Sequence, residues 1–296
     1  MGFDAFSKYH PAVNFIFFIG AIVAGMLILH PAYVAACIIC SALYYVLLRG
    51  RKAWSKIAVM LPLFVFVSLI NPIFNTYGER VITHIFGRPY TLEALLYGAA
   101  LAGMLVSMLL WFGCYNAVLT EDKFTSLFSD LAPSISLLLV MVLRLIPSLI
   151  KKGKQIAGAR MSIGKDSSNA SGFKGKLIGG MTLVSALLSI ALEGGVVTAD
   201  SMRARGYGCA KRTSFMKYRL TAADKVLLAL IIVLLALIIF FSVRGAAAAE
   251  FTPELNIAPV SGVNALGFAA YCVYMLLPSI LHIREDVQWN ISRSRI

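Results

Sequence analysis

The chain has 296 residues, of which 59% are hydrophobic and only 14% charged, with a mean hydropathy of +0.81. A soluble globular domain carries roughly 25% charged residues, so this composition excludes a water-soluble fold and places the chain in lipid. The 27 Lys and Arg outnumber the 14 Asp and Glu, for a formal net charge of +13; in a membrane protein that excess marks cytoplasmic loops and anionic partners rather than nucleic acid.

A bilayer span needs about 20 apolar residues, and six segments meet that need: 12–29, 32–48, 57–74, 92–118, 226–243 and 263–283. The first runs directly into the second through His30 and Pro31, which predicts a tight hairpin and a retained span rather than a cleaved signal. The next connection, 49–56, holds Arg49, Arg51, Lys52 and Lys56 without an acid, so it and the N-terminus are expected in the cytoplasm. The loop 75–91 is then outside. The fourth segment carries Gly98, Ala99, Ala102 and Gly103, a small-residue face that lets another helix approach closely.

Between 119 and 223, hydropathy and charge disagree. Segment 177–199 is apolar enough to span, with Glu193 its only charge. Before it stand Lys151, Lys152, Lys154, Arg160, Lys165, Lys174 and Lys176 against Asp166; after it stand Arg203, Arg205, Lys211, Arg212, Lys217, Arg219 and Lys225 against Asp200 and Asp224. A single crossing would leave one of these basic flanks outside, against the positive-inside rule. Segment 124–150 is similarly interrupted, by Asp130, Pro133, Arg144 and Pro147. Both are therefore expected as long helices at the cytoplasmic boundary, packed on each other and on the spans without crossing. The expected fold class is all-α and polytopic: transmembrane helices in 1–118, a cytoplasmic-side helical domain in 119–223, and further spans with a short basic tail (Arg284, Arg293, Arg295) in 224–296.

Enzyme chemistry finds little support. The five cysteines, Cys37, Cys40, Cys114, Cys209 and Cys272, lie mostly inside apolar runs and read as packing residues, including the Cys37/Cys40 pair. No HExxH, GxSxG or paired carboxylates occur within a span. The stretch 158–166 has Ala159 and Asp166 where a phosphate loop requires Gly and Ser or Thr, so no nucleotide site is expected. The glycosylation pattern Asn169-Ala170-Ser171 falls on the expected cytoplasmic side and is set aside.

Two similar helix ends remain. One reads Gly158-Ala159-Arg160-Met161; the other reads Met202-Arg203-Ala204-Arg205-Gly206-Tyr207-Gly208. An Arg at a helix C-terminus ordinarily meets the last carbonyls, with Gly206 suited to the C′ position. Arg203 has Asp200 on its own helix face and thus an expected internal partner. Arg205 and Arg160 have no acid at helical spacing. Unpaired arginines of this kind, each preceded by a small Ala, suit insertion into an acidic groove on another protein. Arg144, in an apolar stretch, is either functional, or an Arg that snorkels to headgroups or bonds a carbonyl freed by Pro147.

The order of four N-terminal spans, a Leu143-Arg144-Leu145-Ile146-Pro147 element, Ala159-Arg160 near a basic turn, and then Asp200-Ser201-Met202-Arg203-Ala204-Arg205-Gly206-Tyr207-Gly208 resembles the transmembrane T component of energy-coupling factor transporters. Met161 departs from the first motif, where that family usually has Gly. The resemblance implies that Arg160 and Arg205 tip two crossed coupling helices, each docking into one of two cytoplasmic ABC-type ATPase subunits. It also implies a small membrane subunit that captures a vitamin or metal ion, a prokaryotic plasma membrane with both termini cytoplasmic, and no cofactor of the chain's own, ATP being bound by the partners. Glu193 is expected to pair with a basic residue between the coupling helices or to face the capture subunit. The competing readings are a membrane enzyme acting on anionic lipids and a self-sufficient secondary transporter, which would want ionisable groups at mid-membrane.

Overall fold

The computed structural model describes the chain except residues 1–5, 76–79, 86–87, 130–132, 165–171, 210–219, 251–255, 260 and 294–296. Lys165, Lys211, Arg212, Lys217, Arg219 and Arg295 therefore lie outside the described residues, as does the Asn169 pattern. The chain divides into two compact units, one of Met1–Phe124 with Tyr218–Ile296 and one of Thr125–Lys217.

The first unit opens with a 3-10 turn, Phe6–Lys8, followed by α1 (Pro11–Leu27) and α2 (Pro31–Arg49). Both helices start the same way. His10 and His30 are N-caps whose Nδ1 atoms accept from Ala12 N and Ala32 N at 3.2 Å, with Pro at the first helical position, where its missing N–H costs nothing. A single residue, Gly50 at φ 56°, separates α2 from α3 (Arg51–Phe74). The expected basic loop at 49–56 is thus largely helical: a left-handed glycine completes the turn alone, and Arg51, Lys52 and Lys56 fall in the opening turns of α3.

A small antiparallel hairpin, β1 (Val81–Ile85) with β2 (Arg88–Thr91), pairs Thr83 with Tyr90 and His84 with Pro89. Thr91 then caps α4 (Leu92–Val118). The small-residue face of α4 is used as its sequence suggests: a Cβ on Gly98 would meet the Ser68 carbonyl of α3 at 2.8 Å, and one on Gly103 would meet Val34 of α2 at 2.6 Å. After the second unit come α8 (Ala222–Val243), a short pairing of β3 (Ala249–Glu250) with β4 (Asn256–Ile257), and α9 (Val263–Arg293). The core of this unit is aromatic. Phe17, Tyr44, Trp111 and Tyr274 are fully buried, Trp111 Nε1 donates to Cys37 Sγ at 3.3 Å, and the Tyr274 hydroxyl donates to Phe17 O at 2.8 Å.

The second unit holds most of α5 (Glu121–Ser129), with α6 (Pro133–Ser162) and α7 (Gly172–Ala204). Segment 124–150 is therefore shared by two helices rather than one. Pro133 opens α6, and α6 then runs on through Pro147, well past the expected limit.

Among the described residues, six helices are long and apolar enough to cross a membrane: α2, α3, α4, α8, α9 and also α7, while α1 is a 17-residue apolar helix. This is an all-α, multi-pass membrane protein. Length and composition alone would let α7 cross; the expectation that it does not rests on the basic residues flanking it.

Candidate functional site

The second unit carries both Ala-Arg pairs and the residues expected to support them, and α6 and α7 are its frame. They run antiparallel. Arg160 near the end of α6 meets Gly179 near the start of α7, Leu187 packs over Gly153, and Leu138 and Met141 near the start of α6 share a groove with Met202 and Arg205. Arg160 and Arg205 consequently sit at opposite ends of the pair. Arg205 lines the groove beside Leu138, and at 1.5 Å rise per residue the stretch from Leu138 to Arg160 spans roughly 30 Å.

The two ends close differently. At α7, Gly206 N donates to Arg203 O at 3.0 Å, Tyr207 N donates to Met202 O at 3.0 Å, and Gly206 has φ 81°. This is the Schellman arrangement, with Arg205 as C-cap and Gly206 as C′. The backbone satisfies its own carbonyls there. The exposed Arg205 side chain has no hydrogen bond or ion pair among the described residues, so capping does not occupy it.

At α6 no glycine follows the Ala159-Arg160 pair. The helix continues through Met161 to Ser162, and Gly164, at φ 72°, takes the left-handed position, its N–H donating to Met161 O at 3.0 Å. Arg160 thus lies inside the last turn instead of at its tip. It is half-buried, and its Nη1 donates to the carbonyl of Gly179 at 3.1 Å. Arg160, expected to be unpaired, has a partner on the neighbouring helix. Gly179, having no side chain, leaves its carbonyl open to a guanidinium.

One further expectation changes and two narrow. Asp200 and Arg203 share a face but form no ion pair; both are exposed, and an i, i+3 pair in water is worth only about 0.2–0.5 kcal/mol against the entropy of holding two side chains. Glu193 is exposed and has no ion-pair partner among the described residues, so it does not link the two helices. Arg144 is exposed and bonds no carbonyl freed by Pro147; instead it lines the groove that Arg205 also lines.

That groove, about 770 Å³, is walled by Leu138, Met141, Val142, Leu145 and Val197, with Ala191, Gly194, Gly195 and Thr198 along α7. Arg144 and Arg205 are the charged residues lining it. Chemically it offers an apolar channel with two guanidiniums and no carboxylate, suited to an acidic, partly apolar surface. Among the described residues no cluster of His, Cys, Asp or Glu could hold a metal ion. Sequence reasoning missed Gly179, which acts through a carbonyl, and Gly164, whose role depends on how far α6 runs.

With this geometry in place, the relatives are informative. The CbiQ family, described as a cobalt transport protein, matches residues 6–215. An uncharacterized protein of Mycoplasma genitalium is 36% identical over 118 residues, covering 39% of this chain and 28% of its own length. Its homolog in Mycoplasma pneumoniae is 33% identical over 118 residues, covering 39% of this chain and 27% of its own. The chain thus spans little more than a quarter of the length of these curated relatives.

Proposed function

This chain belongs to the CbiQ cobalt transport protein family, and on that premise we propose that it is the transmembrane energy-coupling scaffold of an importer driven by two cytoplasmic ATPase subunits. A small membrane subunit captures the substrate, a vitamin or a metal ion, and the scaffold reorients it. Arg160 and Arg205 dock into the two ATPases, and ATP is bound and hydrolysed there rather than on this chain. The basic flanks of α7 keep that helix and α6 on the cytoplasmic side, where both termini also lie in the plasma membrane of a prokaryotic cell.

The observation that carries this reading is the placement of the arginines. Two ATPases can be engaged at once only if their contacts are well separated, and α6 and α7, running antiparallel, present Arg160 and Arg205 at opposite ends. The exposed Ala204-Arg205-Gly206 end supports it further, because the Schellman closure leaves the planar guanidinium free for bidentate carboxylate contacts. Ala159, Ala204 and Gly206 belong with the two arginines to the docking tips, while Arg144 and Pro147 lie on the helix that carries the first of them.

Purification of the chain in mild detergent from its own membranes tests this. Two ATPases and a small membrane protein are expected to accompany it. A chain that retains no ATPase in such a preparation overturns the proposal.

A further inference from the structure

The chain passes between the two units twice, after Phe124 and before Tyr218. Both passages are anchored, within the first unit, to the same short N-terminal segment. On the outgoing side, Lys123 Nζ donates to the carbonyl and hydroxyl of Ser7 and to Val118 O at the end of α4, and the Phe124 ring meets Phe15 of α1 edge-on at 6.2 Å. On the returning side, Thr221 and Asp224 form a capping box that starts α8: Thr221 N donates to Asp224 Oδ2 at 2.8 Å, and Asp224 N donates to Thr221 Oγ1 at 3.3 Å. The other carboxylate oxygen of Asp224, which is 4% exposed, accepts from His10 N at 3.0 Å. Ser7 and His10 are three residues apart, at most about 10 Å of chain.

The segment is itself fixed. Phe6 is fully buried between Phe17 and Phe18, with ring centroids 5.2 and 5.9 Å away, and Lys8 pairs with Glu285 of α9. These five residues thus touch the middle of α1, the end of α4, the start of α8 and Glu285 of α9.

We propose that residues 6–10 act as a clasp that turns the two passages into one hinge, and that Lys123 and Asp224 are positioning residues for energy coupling. The inference rests on the coupling reading above. Without the clasp, displacement of α6 and α7 would pull on the α4–α5 connection and on the start of α8 independently. With it, the two pulls arrive together at the start of α1 and are passed to the aromatic core behind Phe6.

The test is hydrogen–deuterium exchange on the complex of the full chain with its ATPases, without nucleotide and trapped with ATP. In the wild type, protection at residues 6–14 and at 218–227 is expected to change together on trapping. Lys123→Met and Asp224→Ala each cut one anchor. Insertion of two glycines between Lys8 and Tyr9 keeps every anchoring side chain but separates the anchors, so it serves if a single variant fails to fold. Among variants that keep the wild-type melting temperature, Asp224→Ala is expected to lower the change at 9–14 several-fold while that at 218–227 persists, Lys123→Met to lower the change at 6–8, and the insertion to leave the changes at 6–8 and 9–14 no longer matched. Matched changes at 6–8 and 9–14 in the insertion variant, or none in the wild-type complex, overturn the clasp and leave the coupling reading standing. A wild-type chain that carries no ATPases overturns the coupling reading itself, and the clasp with it.

Discussion

At the end of α7, Gly206 closes the helix and Arg205, as the cap residue, reaches outward; at the end of α6, closure waits for Gly164, and Arg160 lies back against the carbonyl of Gly179. The two Ala-Arg pairs look alike in sequence, yet one is presented and the other is partly held. The position of the first left-handed glycine decides which. Where glycine follows Arg directly, the helix stops and the guanidinium stays free; where it comes four residues later, Arg remains on the helix surface and meets whatever packs there.

The sharpest way to break this comparison is to remove both arginines. Arg160→Ala with Arg205→Ala is expected to abolish substrate uptake in the reconstituted transporter and to release the ATPases during purification, while the chain still inserts. Near-normal uptake by that variant would remove both residues from the coupling role.

Single substitutions then separate the two ends. Arg160→Ala removes a charged hydrogen bond between helices and is expected to cost about 1 kcal/mol, read as a lowered melting temperature in detergent, in addition to its effect on uptake. Arg205→Lys should leave the melting temperature unchanged and still weaken uptake, because an ammonium lacks the guanidinium's planar fork. Equal melting temperatures for the wild type and Arg160→Ala would mean that the Gly179 contact contributes nothing.

Gly206→Ala probes the closure directly. An L side chain at φ 81° is strained, so about 1 kcal/mol of local stability is expected to be lost, with faster amide exchange at Tyr207 and reduced uptake as Arg205 loses its fixed direction. The smallest effect is expected from Arg203→Ala and Asp200→Ala. With no ion pair between these residues, each should stay within about 0.5 kcal/mol of wild-type stability and near wild-type uptake.

Much of the fold could be read from local signals. The spans follow from hydropathy, the tight turn between α1 and α2 from His30-Pro31, the packing face of α4 from Gly98 and Gly103, and the α7 end from Gly206. What escaped the sequence was tertiary or entropic. Arg160 had no acid at helical spacing, but its partner is a backbone carbonyl, which no side-chain pattern announces. Asp200 and Arg203 had ideal spacing, but water screens a pair that is exposed on both sides. Arg144 could be seen as unusual, but its position along the groove with Arg205 depends on the antiparallel register of α6 and α7. Asp224 could be counted only as one more charge, until the fold brought His10 against it.

Arg160 contacts α7 at one of two glycine pairs, Gly179-Gly180; the other, Gly194-Gly195, borders the groove. Each glycine costs a helix interior about 1 kcal/mol relative to Ala, so α7 has two soft joints separated by the glycine-free stretch from Met181 to Glu193, about 20 Å long at 1.5 Å per residue. Mechanically, such a helix is a stiff rod between two compliant ends. On the coupling reading proposed above, a load at Arg205 would reach the joint at Gly194-Gly195 before the rod that leads to the contact of Arg160 with Gly179.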